Sequence, residues 1–127
     1  MSDIVIVSAA RTPVGSFNGS FTDMSAADLG SIAIKEAINR AKVKTSEVSE
    51  VIMGQVLTAS CGQNPARQAS INAGIPNEIT AYTINQVCGS GLRSIALGWQ
   101  SIMNDESEII VAGGQENMTQ APHCFHL

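Results

Sequence analysis

Asn85-Gln86-Val87-Cys88-Gly89-Ser90-Gly91-Leu92 sets one thiol between a strand-like run and a helix-like one. Before it, Ile79-Thr80-Ala81-Tyr82-Thr83-Ile84 is rich in β-branched and aromatic residues. After it, Leu92, Ile95, Ala96, Trp99 and Met103 recur at helical spacing. A cysteine at such a junction faces the unpaired N–H groups and the dipole of a helix N-terminus, a setting that activates a sulfur nucleophile. Gly89 and Gly91 carry no Cβ, so a substrate can approach the backbone beside Cys88. The competing reading is a small buried thiol, which is what a free cysteine usually is. Spacing alone leaves both open.

The residue order decides between them. Asn85-Gln86-Val87-Cys88-Gly89-Ser90-Gly91-Leu92-Arg93 resembles the nucleophile segment of the thiolases, in the version carried by the biosynthetic type that makes acetoacetyl-CoA. Ser8 to Phe17 is similar to the family's opening strand and loop, and Gly62-Gln63-Asn64-Pro65-Ala66-Arg67-Gln68-Ala69 to its second helix start. Gly113 to Thr119 and Ala121-Pro122-His123 resemble the segment after the family's next strand, so the likeness runs through all 127 residues in one order.

The resemblance implies an acyltransferase that condenses two acetyl-CoA to acetoacetyl-CoA, and runs the reverse thiolysis, through an acyl-cysteine intermediate. Cys88 is then the acyl-thioester nucleophile and its backbone N–H an oxyanion donor. No bound cofactor is implied, since coenzyme A thioesters are the substrates, and the family forms homodimers or homotetramers. The family's activating histidine, its Asn-Glu segment and its second cysteine have no counterpart in the sequence. The expectation is therefore an incomplete N-terminal thiolase domain over residues 1–119 and the start of the loop domain at 120–127, with a missing C-terminal half or a companion subunit as partner. The apolar end Phe125-His126-Leu127 also suggests truncation. The alternative is an inactive remnant or a non-catalytic, thiolase-like interaction subunit.

Other candidates are weaker. His123, Cys124 and His126 invite a metal reading, but three ligands within four residues lack the separated pairs of a zinc site, and none is expected. Cys61, before Gly62 in a loop, reads as a structural or incidental thiol rather than a catalytic one. Arg67 and Arg93 could meet a coenzyme A phosphate, although helix-surface arginines are more often solvated or ion-paired. Trp99 and Met103 read as the buried face of the helix after Cys88. Gly113-Gly114 reads as a strand-ending turn, since no Gly-x-Gly-x-x-Gly or Walker sequence accompanies it.

Seven Lys and Arg against eleven Asp and Glu give a net charge of −4, which argues against a nucleic-acid surface or an anionic-membrane binder. Three cysteines without framework spacing fit thiols in a reducing compartment, and Met1-Ser2-Asp3-Ile4 offers no signal sequence. No apolar run nears the roughly 20 residues that span a bilayer. These features together predict a cytoplasmic protein.

The elements that must position Cys88 are set by periodicity. Ile4-Val5-Ile6-Val7 predicts a central strand covered on both faces. Ser25 with Asp28 predicts a capped helix, with Ile34, Ala37, Ile38 and Ala41 on its apolar side. Val51 to Val56 predicts a strand, Asn64-Pro65 a helix start closed by Gly74, residues 79–87 a strand, and Glu108 to Gly113 another. Four strands alternating with three helices give an α/β fold, the first half of the thiolase fold, with an open mixed or parallel sheet and helices on both faces. In such sheets ligands bind beyond the carboxyl ends of strands, where Cys88 falls.

Overall fold

Val51, Ile52 and Met53 are almost wholly buried, and together they form the middle of the sheet. The computed structural model describes residues 3–126; Met1 and Ser2 of the N-terminal run and Leu127 of the apolar end lie outside them. The elements run α1 (Ala26–Ala41), β1 (Glu50–Gly54), α2 (Pro65–Asn72), β2 (Thr80–Ile84), α3 (Ser90–Met103) and β3 (Ile110–Gly114), with short 3-10 turns at Thr45–Glu47 and Met118–Gln120.

The sheet order is β2-β1-β3 and both pairings are parallel, with Ile52 opposite Tyr82 on one side and Ala112 on the other. A strand hydrogen-bonded on both edges and covered on both faces must be apolar throughout, which is why Val51-Ile52-Met53 reads as a continuous run. Successive side chains alternate: Val51, Met53, Ala81 and Val111 join the core with α1 and α2, whereas Gly54, Ile110 and Ala112 face α3. Helices therefore cover both faces. No helix among the described residues is long and apolar enough to cross a membrane.

The helix starts are those the sequence specifies. Ser25 Oγ accepts from the Asp28 N–H at 3.0 Å, and the Asp28 carboxylate accepts from the Ser25 N–H at 3.1 Å. This reciprocal cap is worth about 0.5–2 kcal/mol. Asn64 caps α2 through Oδ1, which accepts from the Arg67 N–H, while its Nδ2 donates to the Ala81 carbonyl at 2.9 Å and so ties the cap to β2. Gly74, at φ +88°, ends that helical stretch.

Three expectations are corrected. Ile4–Val7 is not the central strand: it pairs with no strand among the described residues, and Ile6 is 75% exposed. The tie to α1 comes just after this segment, where the Ser8 hydroxyl donates to the Ala37 carbonyl and Arg40 Nη1 to the Ala9 carbonyl. A β-branched run reports a preference for extended, covered backbone, but not which strand completes its ladder. The described sheet accordingly has three strands, with β1 at its centre.

Trp99 and Met103 do not form the buried face of α3. They are 51% and 44% exposed, along with Leu92 and Ile95, while Ser90, Ser94 and Gly98 are buried against the sheet. Small residues at i, i+4 and i+8 let the helix approach closely: a Cβ on Gly98 would come within 3.2 Å of Ile110 Cγ2. The larger apolar residues are thereby turned away from the sheet.

Gly113 and Gly114 are the last residues of β3 rather than a turn after it. A Cβ on Gly114 would meet the Gly91 Cα at 3.3 Å, so their smallness serves close contact between β3 and the start of α3.

Candidate functional site

The carboxyl ends of the three strands converge on one polar layer. Gln55 and Gln115 come directly after β1 and β3, both are buried, and Gln115 Nε2 donates to Gln55 Oε1 at 2.9 Å and to the Pro65 carbonyl at 3.2 Å. The Gln55 N–H donates to the Ile84 carbonyl and the Gln115 N–H to the Gly54 carbonyl, which continues the ladders past the last strand residues. Beyond Gln55, the Glu116 carboxylate accepts from the Val56 N–H at 2.8 Å and the Leu57 N–H at 3.3 Å. Asn85 Nδ2 also donates to the Val56 carbonyl. Segments following all three strands are thus cross-linked at one end of the sheet.

Cys88 lies four residues past β2 and two before the first residue of α3, and it is exposed. The intervening turn is fixed by short-range bonds. Asn85 Oδ1 accepts from the Val87 N–H at 2.9 Å; Ser90 Oγ accepts from the Gln86 N–H at 2.8 Å and donates to the Val87 carbonyl at 2.6 Å. Gly89 and Ser90 donate their N–H groups back to the Gln86 and Val87 carbonyls. Val87 itself has φ +50°, in the left-handed region that a β-branched residue rarely enters.

Close packing seats the start of α3 on the sheet. A Cβ on Gly54 would fall 2.5 Å from Ser90 Cβ and 2.9 Å from the Gly91 nitrogen. Ser94 Oγ lies 2.8 Å from the Gly113 carbonyl and 2.7 Å from that of Gly91. The thiol therefore stands on a strained, hydrogen-bonded turn over the ends of β1 and β3.

The remaining candidates separate from it. Cys61 is half-buried in the loop after β1; its Sγ lies 3.4 Å from Gln55 Nε2 and 3.5 Å from the Leu57 carbonyl oxygen. It borders a hollow of about 270 Å³ that Ser25, Pro65 and Asn117 also line and that Cys88 does not reach. Arg67 is half-buried and makes no ion pair among the described residues: its guanidinium donates to the Ile79 carbonyl at 2.6 Å and to the Asn77 carbonyl, stapling the approach to β2. Arg93 is exposed on α3, and His123, Cys124 and His126 are exposed beyond Gln120. Sequence reading assigned no role to Ser90 or Glu116, although both sit inside the segments that carry the family resemblance; two residues past the thiol is the spacing that returns the Ser90 side chain to the Gln86–Val87 backbone.

The thiolase N-terminal-domain family profile matches residues 4–126, nearly the whole chain. The chain belongs to the thiolase family. Among its relatives, the acetyl-CoA acetyltransferase of Cupriavidus necator is 61% identical over 125 residues, covering 98% of this chain and 32% of that enzyme. The cytosolic acetyl-CoA acetyltransferase of Rattus norvegicus is 56% identical over 124 residues, covering 98% and 31%. The crystal structure of an Ascaris suum thiolase in complex with coenzyme A superposes with a TM-score of 0.91 at 46% identity, covering 92% of this chain and 31% of that one. The α/β fold matches the corresponding part of a thiolase, and this thiolase chain spans about a third of the length of the relatives it matches.

Proposed function

We propose that this chain is the nucleophile-bearing N-terminal portion of an acetyl-CoA acetyltransferase. The observation that carries the reading is the exposed Cys88 on a strained turn between β2 and the N-terminus of α3. In the proposed reaction the Cys88 thiolate attacks the thioester carbonyl of acetyl-CoA, the bond to the coenzyme A sulfur breaks, and coenzyme A leaves as the thiolate. The acetyl group stays on Cys88. The Cys88 backbone N–H donates to the oxyanion of the tetrahedral species, a contribution of about 2.7–4 kcal/mol for a donor of this kind. A second acetyl-CoA, deprotonated at its methyl carbon, then attacks the acetyl-cysteine to give acetoacetyl-CoA and release the thiolate. Coenzyme A thioesters are substrates and no resident cofactor is needed.

Deprotonation of that methyl carbon needs a base that these residues do not supply, so turnover depends on a further part of the enzyme. The apolar face of α3 that bears Leu92, Ile95, Trp99 and Met103 supports this dependence, since it is large and uncovered. Its occupant is the remainder of a thiolase, in the same chain or as a companion subunit, with residues 120–127 beginning the connection to the loop domain. The protein works in the cytoplasm, in line with the cytosolic enzyme of the rat. The same exposed face also favours a second reading, a non-catalytic module that binds another chain. Co-expression with the C-terminal two thirds of the Cupriavidus necator relative separates them. Thiolysis of acetoacetyl-CoA that vanishes with Cys88→Ala supports the catalytic reading; a stable complex without thiolysis supports the module.

A further inference from the structure

Ser90 is 4% exposed, and its Cβ is held against Gly54. Filling that space needs only a Cβ, so the hydroxyl calls for its own explanation. Its two partners bracket the backbone rotations of Gln86 and Val87 together: the Gln86 N–H at 2.8 Å and the Val87 carbonyl at 2.6 Å. Val87 is in the left-handed region and the residue is 65% exposed, so little packing keeps it there. A β-branched residue leaves that conformation unless its surroundings over-determine it.

We propose that Ser90 is a positioning residue for Cys88: its hydroxyl bridges Gln86 and Val87, holds Val87 left-handed, and so fixes the direction in which the thiol leaves the turn. Asn85 restrains the same residue from the other side through the Val87 N–H. Ser90 touches no reacting atom and acts through the backbone of the two residues before Cys88. The inference rests on Cys88 being the acyl acceptor for its consequence, but not for its geometry.

Two measurements on the 127-residue chain keep these apart. The first is the φ angle of Val87 by nuclear magnetic resonance couplings in the wild type and in Ser90→Ala. A positive φ that becomes negative in the variant is expected; an unchanged positive φ overturns the proposal. The second is the rate at which acetyl-CoA acetylates Cys88, read by peptide mass spectrometry in Ser90→Ala, Val87→Gly and the double variant. Ser90→Ala slows it about tenfold, as release of backbone strain of this kind predicts, and Val87→Gly serves as the reference for the double variant. Glycine adopts the left-handed conformation freely, so the double variant recovers most of the loss. A double variant as slow as Ser90→Ala overturns the proposal. Should Ser90→Ala not fold, the double variant decides: folded and reactive supports the role, and unfolded overturns it. A wild-type chain that takes up no acetyl group contradicts the proposed function alone, and the Val87 angle still decides the role of Ser90.

Discussion

Gly54, the last residue of β1, and Ser90, the first of α3, are in backbone-scale contact: a Cβ on the glycine would lie 2.5 Å from that of the serine. The start of α3 can reach the strand ends only because position 54 has no side chain. Gly54→Ala is expected to destabilise the fold by about 1–3 kcal/mol, as over-packing of a rigid contact does. Urea unfolding checks it, with the midpoint shifting at constant slope. An unchanged midpoint would show that the contact is soft.

Glu116 joins loops 59 and 60 residues apart in sequence by accepting from two consecutive N–H groups, those of Val56 and Leu57. Glu116→Ala leaves both donors without that acceptor and is expected to cost about 1–3 kcal/mol, the range for leaving a hydrogen-bonding group unsatisfied. Hydrogen exchange should report faster exchange at Val56 and Leu57 specifically, with the amides of α1 little changed. Uniform acceleration would instead indicate global loosening.

The part of the fold legible in the sequence is the part specified locally. The Ser25–Asp28 cap, Asn64-Pro65 and the strand–turn–helix around Cys88 each rest on contacts between residues near in sequence. What was not legible depends on partners. Ile4–Val7 has strand chemistry, but no local pattern says whether a neighbour pairs with it. Trp99 and Met103 have helical spacing, and a hydrophobic period cannot distinguish a face on the sheet from a face toward another part of the protein. The buried stripe Ser90, Ser94, Gly98 is marked by size rather than polarity, so hydropathy passes over it. Arg67 binds carbonyls 10 and 12 residues away, through a loop geometry that no periodicity encodes.

The uncovered face of α3 predicts association. Leu92 and Trp99 expose 76% and 51% of their surfaces on it. The isolated chain should self-associate in sedimentation velocity, and Trp99→Asp should shift it toward monomer without loss of helix content. A wild-type chain that stays monomeric at every concentration contradicts a covering role for this face.

Tyr82 gives a pH signature. Burial, with the Glu50 and then the Glu106 carboxylates adding to it, raises its phenol above the ordinary 10.0. The neutral phenol is therefore favoured in the folded state, so its contribution to stability is complete below the unfolded value and is lost as pH rises through the folded one. Stability should fall on the alkaline side, and Glu50→Gln should lower the phenolate midpoint toward 10.0. The chain has one tyrosine, so ultraviolet titration reads this group alone. A midpoint unmoved by Glu50→Gln would show that the carboxylate does not contribute.

The central claim is that Cys88 accepts an acyl group, and intact-mass analysis after incubation with acetyl-CoA tests it most directly. One acetyl group is expected on the folded chain, located on the Cys88 peptide and absent from Cys88→Ala, while Cys61 and Cys124 remain unmodified. An unlabelled, folded wild-type chain, or labelling that persists in Cys88→Ala, would contradict it.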